Sequence, residues 1–494
     1  MARTPRTLQS DTPPPVAEPA ETSFHARIAA PRRSLGLKLL LVCALALLMS
    51  IPALFVFALL ADRTNRAETV ATEVGGLMGG PQTFLGPVVA VPFTRTTVAP
   101  RSAPGTTVGA VAGSNTETGV WHVFPTRGRV EVATDSEVRS RSLFKVPVYG
   151  ADLRYSARFD LAQAGNEAPA GTVLDWSRAE IIVGASDARG AKSDIGLTIG
   201  GRTVTLTPSS VETSTGLDYG PTLDRRTPRS ETLRLFGTRL PEAQRAAGVF
   251  DVSGQAAFSG ARRVSVLAFA GTTDAVIRGD WPHPSYNGGF LPTRQAPAAD
   301  GPGFDAAWTV PFVARGVPAE GGADALARLG ATELAVSFVE PANPYQSVSR
   351  SLKYAPMFIG LVFLAYFLFE TTTGRRVHPA QYILIGMAQV IFYMLLLSIA
   401  EHTGFDLAFA VAALATVGLI SAYAGWTFDS RAQGLRALVA FSFLYGLIYV
   451  LMRLEDYALL VGALSSFAAI AAVMYFTRKV DWYGVTGQTS QGQG

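Results

Sequence analysis

The chain has 494 residues, 48% of them hydrophobic and only 16% charged, with a formal net charge of +4. Soluble globular proteins carry about 25% charged residues, so part of this chain is expected to lie in lipid. The apolar content excludes global disorder, a single thiol (Cys43) excludes an intramolecular disulfide scaffold, and basic residues that flank apolar runs instead of forming one stripe argue against a nucleic-acid partner.

Residues 1–34, with Pro13, Pro14, Pro15 and scattered Ser, Thr and Arg, lack apolar periodicity and are expected to form a disordered cytoplasmic tail. Leu39 to Ala61 is a 23-residue run without a charge. At ~1.5 Å per residue it crosses a ~30 Å hydrocarbon core, and it is too long and too far along the chain for a cleaved secretory signal. An uncleaved first transmembrane helix over 35–61 is predicted.

Residues 62–351 carry short β-branched runs punctuated by Gly, Pro, Asn and Asp: Val88 to Thr94, Leu143 to Tyr149, Ile181 to Ser186, Arg202 to Leu206 and Ser265 to Ala270. The pattern predicts a β-rich domain, mainly antiparallel, as a sandwich or a pair of small sheets. Ala323 to Leu329 is its main helical candidate, and Ala99 to Gly119, Ala162 to Gly171 and Gln295 to Gly303 read as loops. Two motif matches fail on context. Gly184 to Ser193 lacks phosphate-loop spacing, and Ser142-Leu-Phe-Lys145 begins a strand-like run without the Ser-Asp-Asn and Lys-Thr-Gly elements of Ser-x-x-Lys acyl enzymes.

After Arg350 five further apolar stretches follow, about Leu352 to Phe369, Tyr382 to Ile399, Leu407 to Tyr423, Ala437 to Met452 and Tyr457 to Phe476. The predicted fold is therefore a membrane α-helical bundle of six transmembrane helices, one N-terminal and five C-terminal within 352–476, with a large inserted periplasmic β-rich domain and a cytoplasmic tail over 477–494. Lys38, Arg375, Arg376, Arg431, Arg436, Arg478 and Lys479 share one side, and Glu401 to Asp406 on the other side has no positive residue. The positive-inside rule places both termini in the cytoplasm.

His25, His122, His283, His378 and His402 show no metal-ligand spacing, so neither metal nor cofactor is expected. Charges at the outer helix ends are the candidate functional residues: Glu401 and His402 after the third span, and Arg453, Glu455 and Asp456 between the fifth and sixth, with Arg453 as counter-charge to one carboxylate. Exposure to water or headgroups is the plainer account of them. Gln389, Ser442, Ser465 and Ser466 read as helix-packing contacts more than a pathway.

Tyr345-Gln-Ser-Val-Ser-Arg350-Ser-Leu-Lys353-Tyr354, His378-Pro-Ala-Gln381-Tyr382, Phe392-Tyr393, Glu401-His402, Leu444-Tyr445-Gly446, Glu455-Asp456 and Thr477-Arg478-Lys-Val-Asp481-Trp482-Tyr483 resemble the CreD family in order and spacing. In the middle region Gly80-Pro81-Gln82, Gly86-Pro87, Trp281-Pro282-His283-Pro284-Ser285, Phe290-Leu291-Pro292 and Trp308 extend the resemblance to roughly residues 36–483, with a departure at Ser142. It implies a multi-pass inner-membrane protein of Gram-negative bacteria tied to envelope integrity, envelope stress and β-lactam response. It implies no catalytic residue, and a non-enzyme is expected. Membrane lipids and envelope proteins are the expected partners, with a transporter or flux gate and a periplasmic stress sensor as alternative functions.

Overall fold

The computed structural model describes residues 35–98, 114–219, 230–299, 301–340, 344–373, 375, 377–453 and 458–478. Both predicted tails, apart from Thr477 and Arg478, lie outside the described residues, as do Glu455 and Asp456.

The first helix, α1 (Leu35–Leu77), does not stop at Ala61 but continues for about four more turns. Ala67, Ala71 and Val74, with Met78 just beyond, recur at helical spacing along this extension. Ala71, Val74 and Met78 pack on Val146, Val148 and Ala261 of the β region, which is why the helix persists outside its apolar run. Arg262 and Arg141 add ion pairs to Glu68 and Glu73, at 2.7 and 2.6 Å. Gly79 and Gly80 then end the helix with φ of 93° and 62°. A Cβ on Gly79 would lie 2.7 Å from the Gly190 Cα, so only glycine allows the chain to turn there.

The strands form two sheets, of eleven and eight described strands. The first runs Ser214–Asp218, Ser230–Arg239, Glu180–Ala185, β1 (Gln82–Val98), Arg263–Leu267, Glu333–Phe338, Pro284–Gly288, with β2 (Ser114–Val123) also paired to β1. The second runs Arg294–Pro297, Phe304–Val310, Thr272–Gly279, β3 (Arg127–Arg141), β4 (Phe144–Asp160), Val249–Ala261, Gly196–Ile199, Arg202–Thr205. Phe84 meets Phe258 at 5.0 Å and Tyr149 meets Phe338 at 5.0 Å across the sheets, so they share one core.

Two expectations change here. The sheets are large, and within their mainly antiparallel pairing two contacts, β1 with Arg263–Leu267 and β3 with Thr272–Gly279, are parallel. Residues 114–119 are strand, because they pair with β1 from Phe93 to Val98, and 295–297 pair with Phe304 to Ala306. In keeping with the rejected acyl-enzyme match, Ser142, at φ 58°, sits in the β3–β4 turn and opens no helix. Short helices α2 (Glu242–Ala247), α3 (Phe312–Arg315) and α4 (Ala323–Arg328) complete the region.

Past residue 343 the chain forms α5 (Pro344–Lys353), α6 (Ala355–Thr373), α7 (Pro379–Thr403), α8 (Phe405–Thr427), α9 (Arg431–Arg453) and α10 (Ala458–Thr477). The amphipathic α5 breaks from α6 at Tyr354, so the second apolar helix starts at Ala355 and not at Leu352. Among the described residues five helices are long and apolar enough to cross a membrane: α1, α6, α7, α8 and α9. In α10 the apolar stretch among the described residues is the shorter Leu460–Ala472. Helix α1 packs against α5, α6 and α7, joining the two ends of the chain in one bundle.

Candidate functional site

Two charge clusters hold α1 to the other helices. At its start, Lys38 reaches Glu370 near the end of α6. Glu370 is 6% exposed, and its carboxylate also accepts the Val377 N–H at 2.9 Å and the Tyr382 hydroxyl at 2.9 Å. Lys38 donates a second bond to the Val377 carbonyl at 3.0 Å. The turn that presents Val377 is set by the start of α7: the His378 ring accepts the Ala380 N–H, Gln381 accepts the His378 N–H, and Pro379 opens the helix. A buried carboxylate needs this many donors, because desolvation otherwise outweighs the ion pair.

At the other membrane border, Glu401 near the end of α7 faces Arg63 of α1 at 3.8 Å and accepts the Tyr345 hydroxyl of α5 at 3.2 Å. Burial, then the Glu401 charge, push the Tyr345 phenol up to about 12, so it stays a donor at neutral pH. Lys38 and Arg63 are separated by roughly 37 Å of helix, slightly more than a ~30 Å hydrocarbon core.

The predicted candidates thus fall into different settings. Glu401 is a partner in the α1–α5–α7 cluster. Its neighbour His402 is exposed, with its Nδ1 3.0 Å from the Ser398 carbonyl of its own helix. Arg453 pairs with the carboxylate of Asp406 at the start of α8, and Tyr449, whose hydroxyl donates to Asp406 at 3.1 Å, lies beside it. That pair closes the α8–α9 hairpin at an exposed position. Glu455 and Asp456 lie outside the described residues. Among the described residues no three His, Cys, Asp or Glu side chains gather as a metal site.

Sequence reasoning missed Lys38 and Glu370. Glu370 is the acidic residue that interrupts an apolar stretch, a position that by itself marks a carboxylate in need of a partner. A model of the family described as inner membrane protein CreD matches residues 34–483. The chain belongs to the CreD family. The Escherichia coli K12 protein of that description is 28% identical over 441 residues, which is 88% of this chain and 91% of the relative. Both charge clusters and both sheets of this CreD-family chain fall inside the matched span. With its apolar helices, membership makes it a multi-pass inner-membrane protein.

Proposed function

We propose that this protein maintains cell envelope integrity under envelope or β-lactam stress through contacts that its β domain makes with lipid or protein outside the inner membrane, without a catalytic step. The topology of this reading has six crossings, α10 being the sixth, with both termini cytoplasmic. Lys38, Arg375, Arg431, Arg436 and Arg478, all at the same helix ends, support that orientation.

The observation that carries the reading is the unbroken α1, fixed to the bundle by Lys38 and Arg63 and to the sheets by Ala71, Val74 and Met78. Force or displacement at the β domain is thereby passed to the bundle along a single helix. Thr64 sits at the exit from the apolar run and bonds the Leu60 carbonyl at 2.9 Å. Thr64→Pro removes a backbone hydrogen bond and kinks the helix between the bundle and the sheets, outside the apolar run that already accommodates Pro52, and Thr64→Ala does not. In cells that depend on this chain for β-lactam tolerance, Thr64→Pro is expected to abolish tolerance at normal membrane abundance while Thr64→Ala preserves it. Full tolerance with Thr64→Pro overturns the reading, and cytosolic labelling of a cysteine placed at Gly200 overturns the topology.

A second reading, a flux gate, draws on fully buried Gln389, whose amide O and N have no partner among the described residues, and on the hydroxyls of Tyr393 and Tyr445, likewise without one there. Such groups suit a hydrated path between helices. Loss of tolerance in Gln389→Leu, with Thr64→Pro harmless, is the result that favours it.

A further inference from the structure

On the side of the bundle that carries Lys38, an open groove of about 790 Å³ runs between α8 and α9. Its floor is nearly bare of side chains because two glycines bring the helix backbones together. A Cβ on Gly434 would lie 3.2 Å from the Gly425 Cα and 3.3 Å from the Ser421 carbonyl. Gly418 and Ala422 extend the trough along α8, and Leu435 and Leu438 wall it on α9.

The mouth of the groove is positive. Arg431, the first residue of α9, lines it and is exposed, and no carboxylate pairs with it among the described residues. Asp429 also lines the mouth and pairs with Arg375 at 3.5 Å, so two arginines there stand against one carboxylate. The Gln433 and Gly434 amides turn back to the Ser430 carbonyl at 3.1 Å each, which leaves the Arg431 and Ala432 amides at the positive end of the helix dipole. Trp426, 75% exposed, stands on the rim as an interfacial aromatic.

Deeper in the trough the Ser421 hydroxyl lines the groove, is buried, and has no partner. A hydroxyl in an apolar setting normally finds an acceptor, commonly a carbonyl one turn back in its own helix. Among the described residues nothing accepts from it, and because the oxygen itself is enclosed, an acceptor in the groove reaches it only when the side chain turns outward. A phosphate at the mouth, an ester carbonyl below it and a hydrocarbon chain below that reproduce the order of chemistry along the groove.

We propose that this groove binds one anionic phospholipid: the phosphate at Arg431 and the first amides of α9, an ester carbonyl at Ser421, and an acyl chain along Gly418, Leu435 and Leu438. The test uses the full chain in mild detergent, offered phosphatidylglycerol or phosphatidylethanolamine, with retained lipid counted by native mass spectrometry. One phosphatidylglycerol is expected to stay bound where phosphatidylethanolamine is lost. Arg431→Gln is expected to lower retention about tenfold, with a smaller loss in Ser421→Ala. Gly418→Leu, which has open space around its Cβ, fills the trough and is expected to end retention. Leu47→Ala, exposed on α1 and away from the groove, is expected to leave it unchanged. Equal retention of the two lipids, wild-type retention in Arg431→Gln and Gly418→Leu, or full displacement by chain-free glycerol phosphate overturns the proposal.

Discussion

Lys38 and Glu370 are 332 positions apart in sequence, yet they form the polar contact that fastens the start of the chain to its C-terminal helices. The pair is asymmetric: the Glu370 side chain is almost fully enclosed and the Lys38 side chain is partly open. Loss of the lysine leaves a buried carboxylate that still accepts from Val377 and Tyr382. Lys38→Met is therefore expected to cost about 2 kcal/mol, below the ~3–5 kcal/mol of a fully stripped pair. Because the double variant Lys38→Met/Glu370→Met also removes the carboxylate that Lys38→Met strands, it is expected to melt closer to wild type than Lys38→Met does in detergent. Additive losses in the two single variants would sink the coupling.

The crossing of α8 and α9 at Gly425 and Gly434 has no room for a side chain. Gly434→Val is expected to force the helices apart and to cost about 1–3 kcal/mol, offset only in part by the better helix propensity of valine. Thermal melting of the full chain in detergent is the measurement. An unchanged midpoint means that the backbones do not approach this closely.

In the β domain, Arg315 is 3% exposed and faces no carboxylate among the described residues. It donates to the carbonyls of Val317 at 3.0 Å and Phe269 at 3.4 Å and also to Pro318, and it lies 4.7 Å over the Phe124 ring. Burial pulls its guanidinium down to about 10. Arg315→Met strands those carbonyls and is expected to cost about 3 kcal/mol. Arg315→Lys cannot reproduce the planar fork and is expected to fall between the two, read as earlier loss of tryptophan fluorescence signal in urea.

Tyr345 gives a pH signature. Its folded value of about 12 lies above the ordinary phenol value, so its stabilisation is complete below the unfolded value of about 10 and is lost as pH rises through about 12. Subtracting the phenolate absorbance titration of Tyr345→Phe from that of the intact chain is expected to isolate one late step near pH 12. A step at the ordinary phenol value would mean that this ring is neither buried nor held against Glu401.

The apolar helices were legible because composition alone decides lipid solubility: a run such as Leu39 to Ala61 has no other solvent. The far end of α1 was not. Asp62 to Leu77 is polar enough to be a linker, and what makes it helix is contact with Val146, Val148 and Ala261, which no local pattern announces. The short β runs were visible for the same local reason, but pairing is non-local, so the parallel register of β1 with Arg263–Leu267 was hidden. Among site residues, Glu401 stood out as a charge at a helix end. Arg453 was read with its sequence neighbours, and its partner Asp406 comes from the opposite end of a hairpin. Glu370 was passed over because its three donors belong to three separate segments.

The extension of α1 beyond Arg63 is about 21 Å long. A tilt of about 10° pivoting at Arg63 therefore swings Met78 by only some 4 Å, while the same rotation drives Lys38 by about 6 Å the opposite way, as a first-class lever with its longer arm in the membrane. If α1 turned as one rigid body about Arg63, small excursions of the sheets would be geared up, not damped, by the time they arrived at Glu370.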